Sequence, residues 1–201
     1  PKETADELMM QGKAKAKNHA EVSVLFSDFV GFTKLSEELT PHELVSELHH
    51  CFEAFDRIVE KHGVEKIKTI GDAYMCVSGL SDEDSINAVN MVKAGLEMQS
   101  FLTAYKKTRQ EQGLPFFEAR VGIHTGPVVS GIVGIHKFSY DVWGDTVNMA
   151  SRMEDGGAVG KVNISQATYE IVQNDFLCQH RGQIDVKHKG KMDMYFVEWA
   201  I

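Results

Sequence analysis

Between Glu21 and His124 the apolar residues of this chain change their spacing in one order: strand, helix, strand, strand, helix, strand. That order specifies a ferredoxin-like βαββαβ core, and the elements beyond it read as appended strands and helices of one α+β domain. The first strand is expected at about Glu21–Ser27, where β-branched and aromatic residues run almost without charge. Thr40-Pro41-His42-Glu43 marks a helix start, with Thr40 as N-cap, Pro41 in the first position and Glu43 reaching back. Leu44, Leu48, Cys51, Phe52, Phe55, Ile58 and Val59 then recur at helical spacing, and Gly63 stops the helix. Strands at 64–70 and 73–78 flank Gly71-Asp72, a hairpin signal. A second long helix is expected from Ser81 to about Arg109. Strands follow at 117–124, 128–133 and 138–143, then a helix from Asp145 to about Met153. The last third mixes a strand at 161–164, a helix at 166–172 and an antiparallel pair near 178–187 and 192–199. Residues 1–20 read as a polar lead-in from an upstream region, and 21–201 as the domain itself.

Two acids sit at the ends of these strands. Val24-Leu25-Phe26-Ser27 delivers Asp28, then Gly31, where the backbone can turn tightly, and a helical pattern begins after Thr33. Asp72 occupies the hairpin turn. A strand that ends in a carboxylate and runs into a helix start is suited to holding a cation and phosphates together. A lone Asp in that place is as well explained as a helix cap; a second strand-end acid shifts the balance. In a ferredoxin-like core the first strand neighbours the hairpin, so the two acids can meet. Two carboxylates with few competing ligands suit Mg²⁺, and a pair of ions ~4 Å apart would activate an attacking oxygen and neutralise a leaving one.

Three further pairs or groups are ambiguous by spacing alone. Asn148 and Arg152 lie four apart on one helix face, with Val147 and Ala150 on another. They form either a solvated face or an amide and guanidinium aimed at a sugar and a phosphoryl oxygen. Lys68 and Asp141 are either a salt bridge or a donor–acceptor pair matching the ring nitrogen and exocyclic amine of adenine. Gly126, Gly131 and Gly134 lack the Gly-Lys-Ser/Thr of a phosphate loop, so they are expected to shape a hairpin and its bends. The nine histidines lack metal-ligand spacing and read as structural or surface residues.

Composition narrows the partners. A formal charge of −8 over 201 residues, with no basic run, argues against nucleic acid but leaves a nucleotide open. Cys51, Cys76 and Cys178 are odd in number and set in apolar patterns, so they read as buried free thiols of a reducing compartment. No apolar run approaches the ~18 residues of a membrane span.

Four segments together resemble the class III nucleotidyl cyclase catalytic domain: Phe26-Ser27-Asp28-Phe29-Val30-Gly31-Phe32-Thr33, Lys68-Thr69-Ile70-Gly71-Asp72-Ala73-Tyr74, Gly122-Ile123-His124-Thr125-Gly126, and Trp143 through Glu154. The resemblance covers nearly the whole chain. It implies an adenylyl cyclase that makes 3′,5′-cyclic AMP and pyrophosphate from ATP, using two divalent cations, Mg²⁺ or Mn²⁺. It implies metal contacts at Asp28, Phe29 and Asp72, and a triphosphate-cradling turn through Gly31, Phe32 and Thr33. Lys68 and Asp141 match the purine-selecting pair in its adenine form, where guanylyl cyclases typically carry Glu and Cys. Asn148 matches the ribose-positioning residue and Arg152 the one that stabilises the transition state. Lys189 matches the terminal-phosphate lysine, with Lys187 and Lys191 as rivals, because His188 stands where the family usually has Gly. The resemblance further implies a head-to-tail homodimer with two equivalent interfacial sites. It implies a cytoplasmic domain under an upstream regulator, in a full-length protein whose membrane anchoring stays open. The alternatives are a guanylyl cyclase and a catalytically inactive regulatory or dimerisation homologue. The Gly-Gly-Asp/Glu-Glu-Phe signature of diguanylate cyclases is absent.

Overall fold

The computed structural model describes residues 15–80, 87–134, 139–186 and 190–199. In chain order the elements are β1 (Lys17–Phe29), α1 (Phe32–Glu38), α2 (Pro41–Lys61), β2 (Glu65–Ile70), β3 (Ala73–Ser78), α3 (Asn87–Glu111), β4 (Ala119–Val133), β5 (Ser139–Trp143), α4 (Asp145–Asp155), β6 (Val162–Ser165), α5 (Gln166–Val172), β7 (Phe176–Val186) and β8 (Gly190–Trp199). The strands form one sheet in the order β2-β3-β1-β4-β6-β8-β7, with β5 paired to β4. The β2-β3-β1-β4 part, with α2 and α3, is the expected βαββαβ core. The β6 to β8 extension is the appended region.

Alternation along β1 divides the core in two. Leu25 and Phe29 enter the larger cluster with Phe55 of α2, Met91 and Met98 of α3, and Val172 of α5. Val22, Val24 and Phe26 face the other side and pack with Met75, Val77, Val128, Val142 of β5 and Ala150 of α4. The polar face therefore left over beyond Phe26 is where Asp28 emerges, on the α4 side of the sheet. The capping box is present: Glu43 N–H donates to Thr40 Oγ1 at 3.3 Å and Thr40 N–H to Glu43 Oε2 at 2.9 Å.

Several boundaries differ from expectation. β1 begins at Lys17 rather than Glu21, because its polar start continues the ladder: Lys17 pairs with Ser130, and His19 Nε2 lies 2.9 Å from Ser130 Oγ. The strands expected at 117–124 and 128–133 are one strand, β4. Val22 pairs with Gly126 and His19 with Val128, so Ala20 and Glu21 lie opposite Pro127 alone. This two-against-one bulge lets a proline with no N–H sit inside a continuous strand. α4 runs past Met153 to Asp155, and that extra half-turn carries acids that matter below. The expected helix start at Ser81 and strand start at Phe138 lie outside the described residues. Cys51 and Cys76 are buried free thiols as expected, and burial pushes the Cys51 thiol up to about 12. Cys178 is only half-buried, since β7 is the sheet's terminal strand.

Candidate active site

β1 and the β2–β3 turn bring Asp28 and Asp72 together. Ser27 pairs with Tyr74, which sets the turn beside the end of β1, and Gly71 makes the turn at φ 62°. Both carboxyls are half-buried, and burial raises both above the usual carboxylate range; at Asp28 the like charge of Asp72 raises it further. Two acids that share a partly dry site and repel one another form a donor set that a hard divalent cation would relieve. Among the described residues no cluster of three or more His, Cys, Asp or Glu side chains could hold a metal. A cation here would thus take most of its ligands from water or from a bound phosphate, which is the Mg²⁺ pattern.

Phe29 follows Asp28 with its ring in the opposite core, stacked on Phe117 at 4.6 Å and on Phe52 at 5.8 Å. That anchor fixes the strand end, so any metal contact from Phe29 is through its carbonyl. Val30 N–H still donates to Glu118 O at 2.8 Å, after which Gly31 turns at φ 72° into α1. No side chain caps the start of α1, so Phe32 and Thr33 follow a turn whose N–H groups have no side-chain acceptor.

Lys68 and Asp141 meet although they are 73 residues apart: Lys68 Nζ donates to Asp141 Oδ2 at 2.5 Å. The register of β2 against β3 shifts between Lys66 and Lys68, which re-aims the Lys68 side chain. On β5, Asp141 Oδ1 accepts from Val142 N–H at 2.9 Å, and the buried Val142 holds that strand over β1 and β3. The carboxylate is thus fixed by its own backbone while the ammonium keeps two donors for a ligand.

α4 carries Asn148 and Arg152 away from the core while Met149, Ala150 and Met153 are buried beneath it. The helix lies on bare strand backbone. A Cβ at Gly122 would fall 1.9 Å from Glu154 N, and one at Gly126 would fall 2.7 Å from Thr146 Oγ1. Thr146 Oγ1 donates to Pro127 O at 2.7 Å, tying down the other end. These contacts explain Gly122 and Gly126 as close-packing positions. Among the described residues no hydrogen bond or ion pair joins the side chains of Asn148 or Arg152 to the two acids.

Two residues at the site were not anticipated. Arg120 is the cross-strand partner of Asp28, with Nη2 3.7 Å from Asp28 Oδ2, and its Nε donates to Glu154 Oε1 at 2.8 Å. Glu154 is buried, and burial raises its carboxyl although Arg120 pulls it down. The sequence carries no local sign of this bridge, since it depends on the β1–β4 register and on α4 reaching past Met153. Lys187 and Lys189 lie outside the described residues; Lys191 is on β8. Of the histidines, His124 lies 2.7 Å from Ser165 Oγ, His62 2.8 Å from Glu97, and His180 2.7 Å from Asp193, all structural pairings.

The family model for the adenylate and guanylate cyclase catalytic domain matches residues 14–199. An adenylate cyclase of Mycobacterium tuberculosis is 42% identical over 182 residues, covering 90% of this chain and 40% of that protein. Guanylyl cyclase C of Homo sapiens is 37% identical over 201 residues, 98% of this chain and 18% of that protein. The chain therefore spans less than half the length of these relatives. Among solved structures, the adenylyl cyclase CyaB from P. aeruginosa superposes with a TM-score of 0.87 at 31% identity, covering 93% of this chain and 97% of that one. The catalytic core of a rhodopsin-guanylyl cyclase with converted specificity, in complex with ATPαS, superposes with a TM-score of 0.85 at 34% identity. It covers 92% of this chain and 99% of that one.

Proposed function

The chain belongs to the adenylate and guanylate cyclase catalytic-domain family, and we propose that within it the chain is an adenylyl cyclase, converting ATP to 3′,5′-cyclic AMP and pyrophosphate. The observation that carries the choice of nucleotide is the Lys68–Asp141 pair. Its ammonium can donate to adenine N1 while its carboxylate accepts from the 6-amine. Guanine presents N1–H to the ammonium and O6 to the carboxylate, which mismatches both. Relatives of both specificities match the chain, so the overall likeness does not choose between them, and the pair is what supports the adenine reading.

The remaining roles are those that the family resemblance implies for these residues. Asp28, Asp72 and the Phe29 carbonyl would hold two divalent cations, Mg²⁺ or Mn²⁺. Bound there, they would supply Lewis-acid activation of the ribose 3′-hydroxyl and charge neutralisation on the departing pyrophosphate. The Gly31-Phe32-Thr33 turn would receive the triphosphate on its backbone N–H groups. Asn148 would hold the ribose, Arg152 would take up charge growing on the α-phosphate, and Lys189 would hold the terminal phosphate. The protein performs little covalent work, so orienting the 3′-oxygen against the α-phosphorus is most of its task.

Asn148 and Arg152 are fixed on α4 without contact to the acids of their own chain, which supports sites shared between two copies. In that arrangement one protomer gives Asp28 and Asp72 while its partner gives the base pair, Asn148 and Arg152. The β4–β5 ribbon exposes Val133 and Trp143 at 52% and 39%, an apolar surface suited to burial against a second copy. Among the described residues no helix is long and apolar enough to cross a membrane. The test is product identity: purified protein supplied with ATP or GTP should form cyclic AMP well in excess of cyclic GMP. Equal or greater cyclic GMP formation refutes the assignment.

A further inference from the structure

The Arg120 bridge joins two parts of the chain that the shared-site arrangement assigns to different sites. Asp28 belongs to one site of a dimer, and α4, through Asn148 and Arg152, to the other. Yet Glu154, two residues beyond Arg152 on α4, holds Arg120 at 2.8 Å, and Arg120 reaches Asp28 at 3.7 Å. Glu154 is 5% exposed, so its carboxylate has little water to turn to and depends on the guanidinium. The Glu154 end of this chain of contacts is tight and the Asp28 end is loose. The Glu154 backbone sits on Gly122 where no Cβ would fit, and a shift of α4 moves the Glu154 carboxylate with it.

We propose that Glu154 is a positioning residue that acts through Arg120, holding the guanidinium short of Asp28 so that this carboxylate is left for a cation. By the same contact it links the two sites of a dimer, an inference that rests on the shared-site reading. The guanidinium has two acceptors and divides between them. While Glu154 holds Nε, the distance to Asp28 is that of a loose ion pair. When Glu154 releases it, Arg120 closes on Asp28 and competes with a cation for the same oxygens. Engagement of Asn148 and Arg152 by nucleotide in one site would shift α4 and alter that division in the other.

The test is Mn²⁺ binding to the purified protein without nucleotide, followed by electron paramagnetic resonance, in wild type, Glu154→Gln, Arg120→Gln and the double variant. Closing the Arg120–Asp28 distance from 3.7 Å to a contact pair at an effective dielectric of ~20 predicts about tenfold weaker Mn²⁺ binding in Glu154→Gln. The double variant should bind Mn²⁺ at least as tightly as wild type, because the competing guanidinium is gone. Thermal melts identify any variant that has lost the fold, and Glu154→Asp, which keeps the charge, should recover part of the affinity. Unchanged Mn²⁺ affinity in a folded Glu154→Gln overturns the proposal. So does an equal loss in Glu154→Gln with and without Arg120, since Glu154 would then act through the fold alone. No Mn²⁺ binding by wild type would instead remove the metal reading of Asp28 and Asp72. For the link between sites, wild type should bind a non-cyclisable ATP analogue with a Hill coefficient different from one, and Glu154→Gln with a value of one. An unchanged coefficient in Glu154→Gln overturns the inter-site step. Failure of subunit complementation would remove the shared-site reading beneath it.

Discussion

Exchanging Lys68 for Glu and Asp141 for Cys should convert the proposed preference for ATP into one for GTP. In the native pair the ammonium can only donate and the carboxylate can only accept. Guanine placed in the same pose sets its N1–H donor against the ammonium and its O6 acceptor against the carboxylate. Each buried polar group left without a partner costs about 1–3 kcal/mol. The Asp141 side chain is 14% exposed, so its mismatch carries the full cost; Lys68 is 38% exposed and water softens its share. The two together come to roughly 2–4 kcal/mol, or about 30-fold to 10³-fold in kcat/KM against GTP. After the exchange, Glu accepts from guanine N1–H and the Cys thiol donates to O6, so the discrimination should reverse in sign. Single exchanges should be worse than the double, because Lys68→Glu alone sets a second carboxylate beside Asp141. The Cys at 141 also forfeits the bond from Val142 N–H, so some loss of total activity is expected. The assay is competition: ATP and GTP in one reaction, with cyclic AMP and cyclic GMP measured as initial rates. An unchanged product ratio in a folded double variant refutes the reasoning and moves base selection elsewhere.

Four other outcomes are expected. Burial holds the folded Asp28 and Asp72 carboxyls above their ordinary value, so the folded chain keeps protons that the unfolded chain has released. Without divalent cations, stability should then fall as pH rises through the carboxylate range toward those raised values. Asp72→Asn should flatten that fall and melt higher than wild type at neutral pH, while Mg²⁺ should raise the melting temperature of wild type only; identical melting behaviour refutes the acid-pair reading. Asp72→Ala and Arg152→Ala should each be inactive alone, while an equal mixture should recover about a quarter of wild-type activity, since half the dimers are mixed and hold one intact site of two; a mixture that stays inactive despite proven subunit exchange refutes shared sites. Specific activity should fall on dilution as dimers separate, and concentration-independent rates would contradict that. Gly122→Ala places a Cβ 1.9 Å from Glu154 N and should cost at least 1–3 kcal/mol or dislodge α4, read as a lowered melting temperature with loss of turnover; wild-type behaviour refutes the close-packing account.

The fold was legible where local chemistry and periodicity agreed. Thr40-Pro41-His42-Glu43 marked a helix start because the capping box is a contact within four residues. Gly71 marked its turn because its φ of 62° is a local demand. The β4 boundary was not legible, because Pro127 reads as a break unless the bulge at Ala20-Glu21 on a partner strand a hundred residues away is known. At the site the same division holds. Asp28 and Asp72 could be paired from the strand order, since the ferredoxin-like core fixes which strands are neighbours. Lys68 and Asp141 were ambiguous by spacing and meet only because β5 folds back over β1 and β3. Arg120 and Glu154 left no trace, since a cross-strand register and a half-turn of extra helix create their contact.

These contacts also bear on what the domain can regulate. Asp28 and Asp72 are held by a strand and a tight turn, Lys68 and Asp141 by a bulge and a backbone hydrogen bond, and Asn148 and Arg152 by a helix seated on glycine. Each of these groups is tied to a backbone element, so apart from Arg120 between its two acceptors little is left to adjust within one chain. Under the shared-site reading, what varies is how the groups of one chain meet those of another. Small rotations between two copies would change the distance between the acids and Arg152 while leaving every contact within a chain intact. Such a rotation alters transition-state stabilisation steeply, because near-attack geometry tolerates only about an ångström of error. On that reading, a signal arriving at this domain would need only to turn one copy against the other. The α4 seat on Gly122 and Gly126 makes that turn effective, since it carries Asn148, Arg152 and Glu154 as one body.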